Sequence, residues 1–86
     1  MRIAIVEDDR IMSDQLKAYV LKYFAGREHL CRINQFDDGD EILENYGADF
    51  DLIFLDIQMQ RLDGLTTAQR IRQLDENVYL IFITNM

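Results

Sequence analysis

"LIFLDIQMQRLDG" (Leu52–Gly64) runs an apolar segment directly into a carboxylate, Asp56, and then into a turn that closes on Asp63 and Gly64. The apolar run reads as a buried strand. An acid at its end must either be solvated at the strand's mouth or be held for a purpose. Helix capping alone does not account for Asp56, because the helix expected after the turn begins several residues later.

The rest of the chain repeats the alternation that this stretch begins. "RIAIV" (2–6) is short, β-branched and closed by acids, which predicts a buried strand. Residues 9–24 carry Ile11, Met12, Leu16, Tyr19, Val20, Tyr23 and Phe24 at spacings of three and four, which predicts an amphipathic helix with those residues as core. "AGRE" (25–28) supplies a glycine-containing stop. Residues 30–36 alternate as a strand with one wetter face, and residues 37–46 open with capping acids and carry Ile42, Leu43 and Tyr46 as a short helix. Residues 50–57 form the third strand. Residues 63–75 form the third helix, with Leu65, Ala68, Ile71 and Leu74 on one face. "VYLIFIT" (78–84) is almost wholly apolar, which predicts a fourth strand buried on both faces.

The order βαβαβαβ with short connections predicts an α/β fold: a parallel sheet with helices on both faces, because parallel neighbours need right-handed crossovers. In such sheets the ligand site lies outside the carboxyl ends of the strands, at the switch point of strand order. Strand one ends in Glu7, Asp8 and Asp9, strand three in Asp56, and strand four in Thr84 and Asn85. In the flavodoxin-like order 2-1-3-4, strands one and three are neighbours and Glu7, Asp8 and Asp56 share one pocket. Clustered carboxylates repel. A hard divalent cation relieves that repulsion, and Mg²⁺ is commonly held by one or two carboxylates together with a phosphate. Acids on two strand ends with the Thr84 hydroxyl on a third are what magnesium-assisted phosphoryl chemistry requires.

The remaining acids have simpler readings. Asp9 is a candidate cap for the first helix; Asp37, Asp38 and Asp40 are expected to be caps and solvated surface; Asp63 is a turn or cap residue. Asp49 and Asp51 precede the buried run and are expected to be solvated. His29 lies in a polar loop, and Cys31 reads as a small buried residue in a strand. With one cysteine no internal disulfide can form, and the chain suits a reducing compartment. The net charge of −7 argues against direct contact with nucleic acid or an anionic membrane surface. No run approaches the roughly 20 apolar residues of a membrane span. "MRIAIVEDD" is too short in its apolar part for a signal peptide, so a cytoplasmic location is expected. Proline is absent, and nothing in the 86 residues resembles a linker or repeat. One unit is the natural reading.

"IAIVEDD" (3–9), "LIFLDIQMQRLDG" (52–64) and "IFIT" (81–84), in that order and at three strand ends, resemble the receiver domain of two-component response regulators, over the whole chain. The resemblance implies that Asp56 accepts a phosphoryl group from the phosphohistidine of a sensor histidine kinase. It implies that Asp8 is a direct Mg²⁺ ligand, that Glu7 holds metal-bound water, and that the Gln58 backbone carbonyl completes the metal shell. Thr84 matches the switch hydroxyl that closes on the phosphate. "IFITN" (81–85) with "DIQM" (56–59) looks most like receivers that precede LytTR-type DNA-binding domains, so any contact with DNA would run through an output domain. Such a domain signals rather than turning over metabolites, beyond gaining and losing its own phosphoryl group.

Three positions depart from the family pattern. Gln60 stands where proline is usual, and Asn85 is larger than the small residue usual after the switch hydroxyl, which would narrow access to Asp56. The resemblance also implies a further helix, a strand bearing a phosphate-pairing lysine, and a last helix after strand four, none of which falls within these 86 residues. The expectation is therefore a receiver domain spanning residues 1–86, with strand four as an exposed edge prone to self-association, weak Mg²⁺ binding and poor phosphorylation by small donors. A non-phosphorylated interaction module is the alternative; the complete set Glu7, Asp8, Asp56 and Thr84 argues against it. A haloacid-dehalogenase-like phosphohydrolase would want a second acid two residues after the first, where Gln58 stands.

Overall fold

Each apolar run becomes a strand and each amphipathic stretch a helix in the computed structural model, which describes residues 1–84. The elements are β1 (Arg2–Val6), α1 (Arg10–Tyr23), β2 (Arg32–Phe36), α2 (Gly39–Leu43), β3 (Leu52–Asp56), α3 (Gly64–Leu74) and β4 (Tyr79–Ile83). All pairings are parallel and the strand order is β2-β1-β3-β4. This is the flavodoxin-like order expected from the sequence. It makes β1 and β3 neighbours, with Val6 beside Leu55, so the residues that follow each strand emerge side by side.

Successive side chains on a strand point to opposite faces, and this period divides the core. Ala4, Val6, Ile53 and Leu55 cluster with Ile42 of α2 and with Ala68 and Ile71 of α3, all buried. Ile3 and Ile5, one step out of phase, are buried on the opposite face, toward α1. Each buried isoleucine or leucine contributes about 1.5–3 kcal/mol relative to an exposed one. α2 lies close against α3 because Gly39 has no side chain: a Cβ there would meet the Thr67 hydroxyl at 1.8 Å.

Helix starts and strand approaches are fixed by acids. Asp9 caps α1 by accepting from the Ile11 and Met12 N–H groups at 3.0 and 3.3 Å. Asp63 caps α3, accepting from the Thr66 N–H at 2.8 Å, and that bond lowers its carboxyl from the ordinary range. Asp49 and Asp51 are exposed, as expected, yet both engage Arg2: Asp49 as an ion pair, Asp51 by accepting the Arg2 backbone N–H at 2.7 Å. At the same edge the Tyr46 hydroxyl donates to Asp75 at 2.8 Å, joining the end of α2 to the end of α3. Burial first, and then that bond, push the phenol well above its usual range.

Four expectations need correction. The apolar residues of α1 are not core as a set: Ile11, Tyr19 and Tyr23 are 70–75% exposed, and Ser13 is the helix's one fully buried residue. Ser13 lies under the Gln35 side chain of β2, whose amide donates to the Ser13 hydroxyl and to Asp14, both at 2.9 Å. β4 is the edge strand of the described sheet, as the order 2-1-3-4 implies, but it is not buried on both faces as its apolar run suggests: Tyr79, Ile81 and Phe82 are exposed. The helix expected over 37–46 is only the five residues of α2, and the strand expected from residue 30 begins at Arg32, after a 3-10 turn at Glu28–Leu30. Cys31 therefore precedes β2 and is half-buried. Asn85, expected to flank the site, lies outside the described residues.

Candidate functional site

β1 and β3 run parallel and in register, so Glu7 and Asp8, just past β1, arrive beside Asp56 at the end of β3. One carboxylate oxygen from each of the three lies within 4.8 Å of the others. Glu7 and Asp56 are 1% and 2% exposed, while Asp8 opens to solvent. Two buried acids with one solvated acid at the mouth form a pocket that a small cation can enter from water.

The Asp56 carboxylate is only partly satisfied. Its Oδ1 accepts the Gln58 N–H at 3.3 Å, and its Oδ2 is buried with no hydrogen-bond partner among the described residues. Leaving a buried carboxylate oxygen unmatched is costly, and a bound cation would offset that cost. The donors are hard oxygens, few in number, and one of them faces water. Such a set fits Mg²⁺, which takes oxygen ligands and retains part of its hydration shell. Soft or imidazole-preferring metals have no thiolate or imidazole here.

The structure brings Glu7, Asp8 and Asp56 together, with Gln58 on the adjoining loop and bonded to the acceptor. Thr84 reaches the same sheet edge from β4, one step beyond the Asp56–Ile83 pair, and the Ile57 N–H donates to the Ile83 carbonyl at 3.2 Å. Its side chain is exposed and lines a shallow groove with Met12, Gln15, Leu16 and Tyr19 of α1. Gln60 lines the cleft on the other side of the cluster, with Asp8, Arg10, Asp37, Asp38 and Arg61.

One residue of this region was misread from sequence. Asp38, expected to be a solvated cap, is 2% exposed. Its Oδ1 accepts the N–H groups of Gly39 and Leu62, both at 2.8 Å, and its Oδ2 accepts that of Arg61 at 3.0 Å. Burial alone would raise this carboxyl; the three N–H donors and the Arg61 charge outweigh it and hold the group below the usual carboxylate range. The sequence signal, an acid before glycine, is that of any helix cap. The two bonds that matter most reach 23 and 24 residues along the chain.

A doubly wound α/β sheet with an acid cluster at the carboxyl edge, split between the first and third strands, defines a class of α/β proteins whose ligands bind at that edge. Comparison with known sequences narrows the class: the profile of the response regulator receiver domain matches residues 3–86. The chain belongs to this family, the receiver domains of two-component response regulators. It is 34% identical over 85 residues to the transcriptional regulatory protein YpdB of Escherichia coli K12, covering 98% of this chain and 33% of that protein. Among solved structures it is similar to the response regulator protein TrrA of Thermotoga maritima in complex with Mg²⁺-BeF, with TM-score 0.79 and 29% identity over 96% of this chain and 68% of that one. A complex of the histidine kinase ThkA with TrrA matches with TM-score 0.77 and 28% identity, over 96% of this chain and 67% of that one. The chain spans about a third of the length of YpdB and of the similar proteins MrkE of Klebsiella pneumoniae and YrkP of Bacillus subtilis. Among the described residues, no helix is long and apolar enough to cross a membrane.

Proposed function

We propose that residues 1–86 act as the phosphoacceptor domain of a two-component relay, with Asp56 taking a phosphoryl group from the phosphohistidine of a sensor histidine kinase. The observation that carries this reading is the buried, partnerless Oδ2 of Asp56 inside a three-carboxylate cluster at the sheet's carboxyl edge. Asp8 and Asp56 would hold Mg²⁺ directly, Glu7 would hold metal-bound water, and the Gln58 carbonyl would complete the shell. Bound there, the ion supplies neutralisation of the charge that phosphate and acceptor bring together.

The chain's own part is to orient and to shield. β3 fixes Asp56 with its Oδ1 on the Gln58 N–H, which leaves Oδ2 as the oxygen free to bond phosphorus. Thr84, on the neighbouring strand at the same edge, donates its hydroxyl to a phosphoryl oxygen after a shift from its exposed position. Burial of Asp56 limits the access of water to the acyl phosphate.

The similarity to a regulator solved with Mg²⁺-BeF, and to a complex containing a histidine kinase, supports ion and donor alike. The similarity to transcriptional regulatory proteins supports an output domain that binds DNA in a cytoplasmic protein, and the stretches "IFITN" and "DIQM" support the LytTR type for that domain. The exposed apolar edge of β4 supports association of the chain with itself. Receivers of this kind signal and do not turn over a metabolite.

The test is a Mg²⁺ titration of the chain followed by amide NMR, beside an Asp56→Asn variant. Saturable shifts at Glu7, Asp8, Asp56 and Gln58 are expected, weakened at least about tenfold in the variant. Phosphoryl transfer from a loaded kinase should add a single group that the variant does not accept. No response to Mg²⁺, or an equal response in Asp56→Asn, would overturn the reading.

A further inference from the structure

We infer that Asp38 is a positioning residue for the metal and phosphoacceptor site, acting through the loop that carries Gln58. This rests on the magnesium-dependent reading of that site. The loop (57–63) follows the acceptor directly and must hold a backbone carbonyl still enough to serve as a ligand. It contains no proline, so nothing in its covalent structure fixes a φ angle. Its shape therefore depends on what its amides bond to.

Those bonds are few and well placed. At its start the Gln58 N–H is on Asp56 Oδ1, and at its end the Gly64 N–H is on the Ile57 carbonyl at 2.9 Å. Between them the Arg61 and Leu62 N–H groups both fall on Asp38. The carboxylate that receives them is buried and comes from a different element, the turn before α2. That turn is itself fixed against α3 by the close approach of Gly39 to Thr67. Asp38 thus ties the far limb of the loop to a rigid part of the fold, leaving the limb between Asp56 and Arg61 little freedom. Bonds to a charged acceptor are the stronger kind, which suits a tether.

The geometry also says why a carboxylate is needed. Three N–H donors converge on two oxygens, two on Oδ1 and one on Oδ2. An asparagine amide, in either orientation, sets an NH₂ against at least one of these donors. The Arg61 guanidinium keeps its Nε 3.8 Å from Asp38 Oδ2 and extends toward the surface, where it pairs with Glu41 at 2.7 Å and Asp40 at 3.2 Å. The hydrogen bonds of the tether come from the Arg61 and Leu62 backbone, and the guanidinium adds a longer ion pair to the same carboxylate.

If the tether favours the metal-holding shape of the loop, coupling is reciprocal: Mg²⁺ must strengthen the tether by the factor by which the tether strengthens Mg²⁺ binding. The test compares wild type, Asp38→Asn and Asp75→Asn. Asp75 is another nearly buried acid, at the opposite edge of the sheet, and controls for loss of stability alone. Asp38→Asn is expected to raise the Mg²⁺ midpoint about tenfold, the size seen when a group supporting metal ligands is altered. Excess Mg²⁺ should restore its response, and Asp75→Asn should leave the midpoint where it is. In the wild-type chain, Mg²⁺ should slow hydrogen exchange at the Arg61 and Leu62 amides by a similar factor, a measurement that needs no variant to fold. An unchanged midpoint in Asp38→Asn, or unchanged exchange at both amides while Mg²⁺ binds, would overturn this inference and leave the site intact. Absence of any Mg²⁺ response in wild type would overturn the functional reading as well.

Discussion

Gly64 and Asp56 touch backbone to backbone: a methyl group on Gly64 would lie 2.1 Å from the Asp56 carbonyl oxygen. The first residue of α3 is therefore packed on the end of the strand that delivers the acceptor, and only a hydrogen fits between them. Gly64→Ala should force the two apart. The expected loss is about 1–3 kcal/mol by urea melt, the cost of overpacking, larger than the roughly 1 kcal/mol that alanine gains in helix propensity. Gly47→Ala, whose new methyl would meet only the Asp49 side chain at 3.6 Å, should remain near wild type. Equal stability of the two variants would contradict the close packing.

Asp56→Asn should make the metal-free chain more stable while removing its response to Mg²⁺. Asp56 shares a pocket with Glu7 and Asp8 and has a partnerless buried oxygen, so neutralising it relieves repulsion. The gain comes from the lost charge alone, because the asparagine amide still leaves a polar atom buried in the pocket. In Mg²⁺ at ten times its Kd, wild type should gain about 1.4 kcal/mol by mass action and the variant nothing. Thermal melts with and without Mg²⁺ decide this, and a variant less stable than wild type without metal would count against it.

Acid should weaken the fold partly through Asp38. Its carboxyl is held below the ordinary range, so the folded chain binds its proton less readily than the unfolded chain does. The stabilisation is complete above the unfolded value of about 4 and is lost as pH falls through the lower folded value. Urea melts from about pH 6 down to about pH 3 should show falling stability, with a shallower slope in Asp38→Asn. Parallel slopes would remove Asp38 from the account.

Association of the chain with itself should run through β4. Ile81 is 44% exposed and Phe82 41%, on opposite faces of the described sheet's edge strand. Charged side chains on an edge strand discourage pairing with another chain. Ile81→Lys should lower the weight-average mass measured by sedimentation at a given concentration. A monomeric mass in the wild-type chain, or an associated mass unaltered by the substitution, would count against association through β4.

The strands were legible because short apolar runs between turn signals leave little choice, and parallel pairing followed from their alternation with helices. Glu7, Asp8 and Asp56 were legible because each follows directly on such a run, where a carboxylate needs a reason. Asp38 was not. Its burial depends on Arg61 and Leu62, which reach it only once α2 and α3 have docked, and locally it looks like a cap. The burial of α1 and β4 was misjudged for a related reason: periodicity says which face of an element is apolar, and the neighbouring element decides whether that face is covered. Ser13, a polar residue, holds the most protected place on α1 because Gln35 bonds over it.

That bracket between Ser13 and Gln35 has a consequence for how the domain breathes. α3 buries Gly64, Thr67, Ala68 and Ile71, whereas α1 buries Ser13 alone. Local opening follows the weakest packing, so of these two helices α1 is the one expected to lift from the sheet at lower cost. Its cap is Asp9, next in the chain to Asp8 and bonded through its own N–H to Glu7 at 3.3 Å. Each such excursion disturbs the acids at its root, and a cation that gathers those acids also fastens the helix. Occupancy of the pocket would then be written in the lifetime of α1, a helix that contributes no ligand of its own.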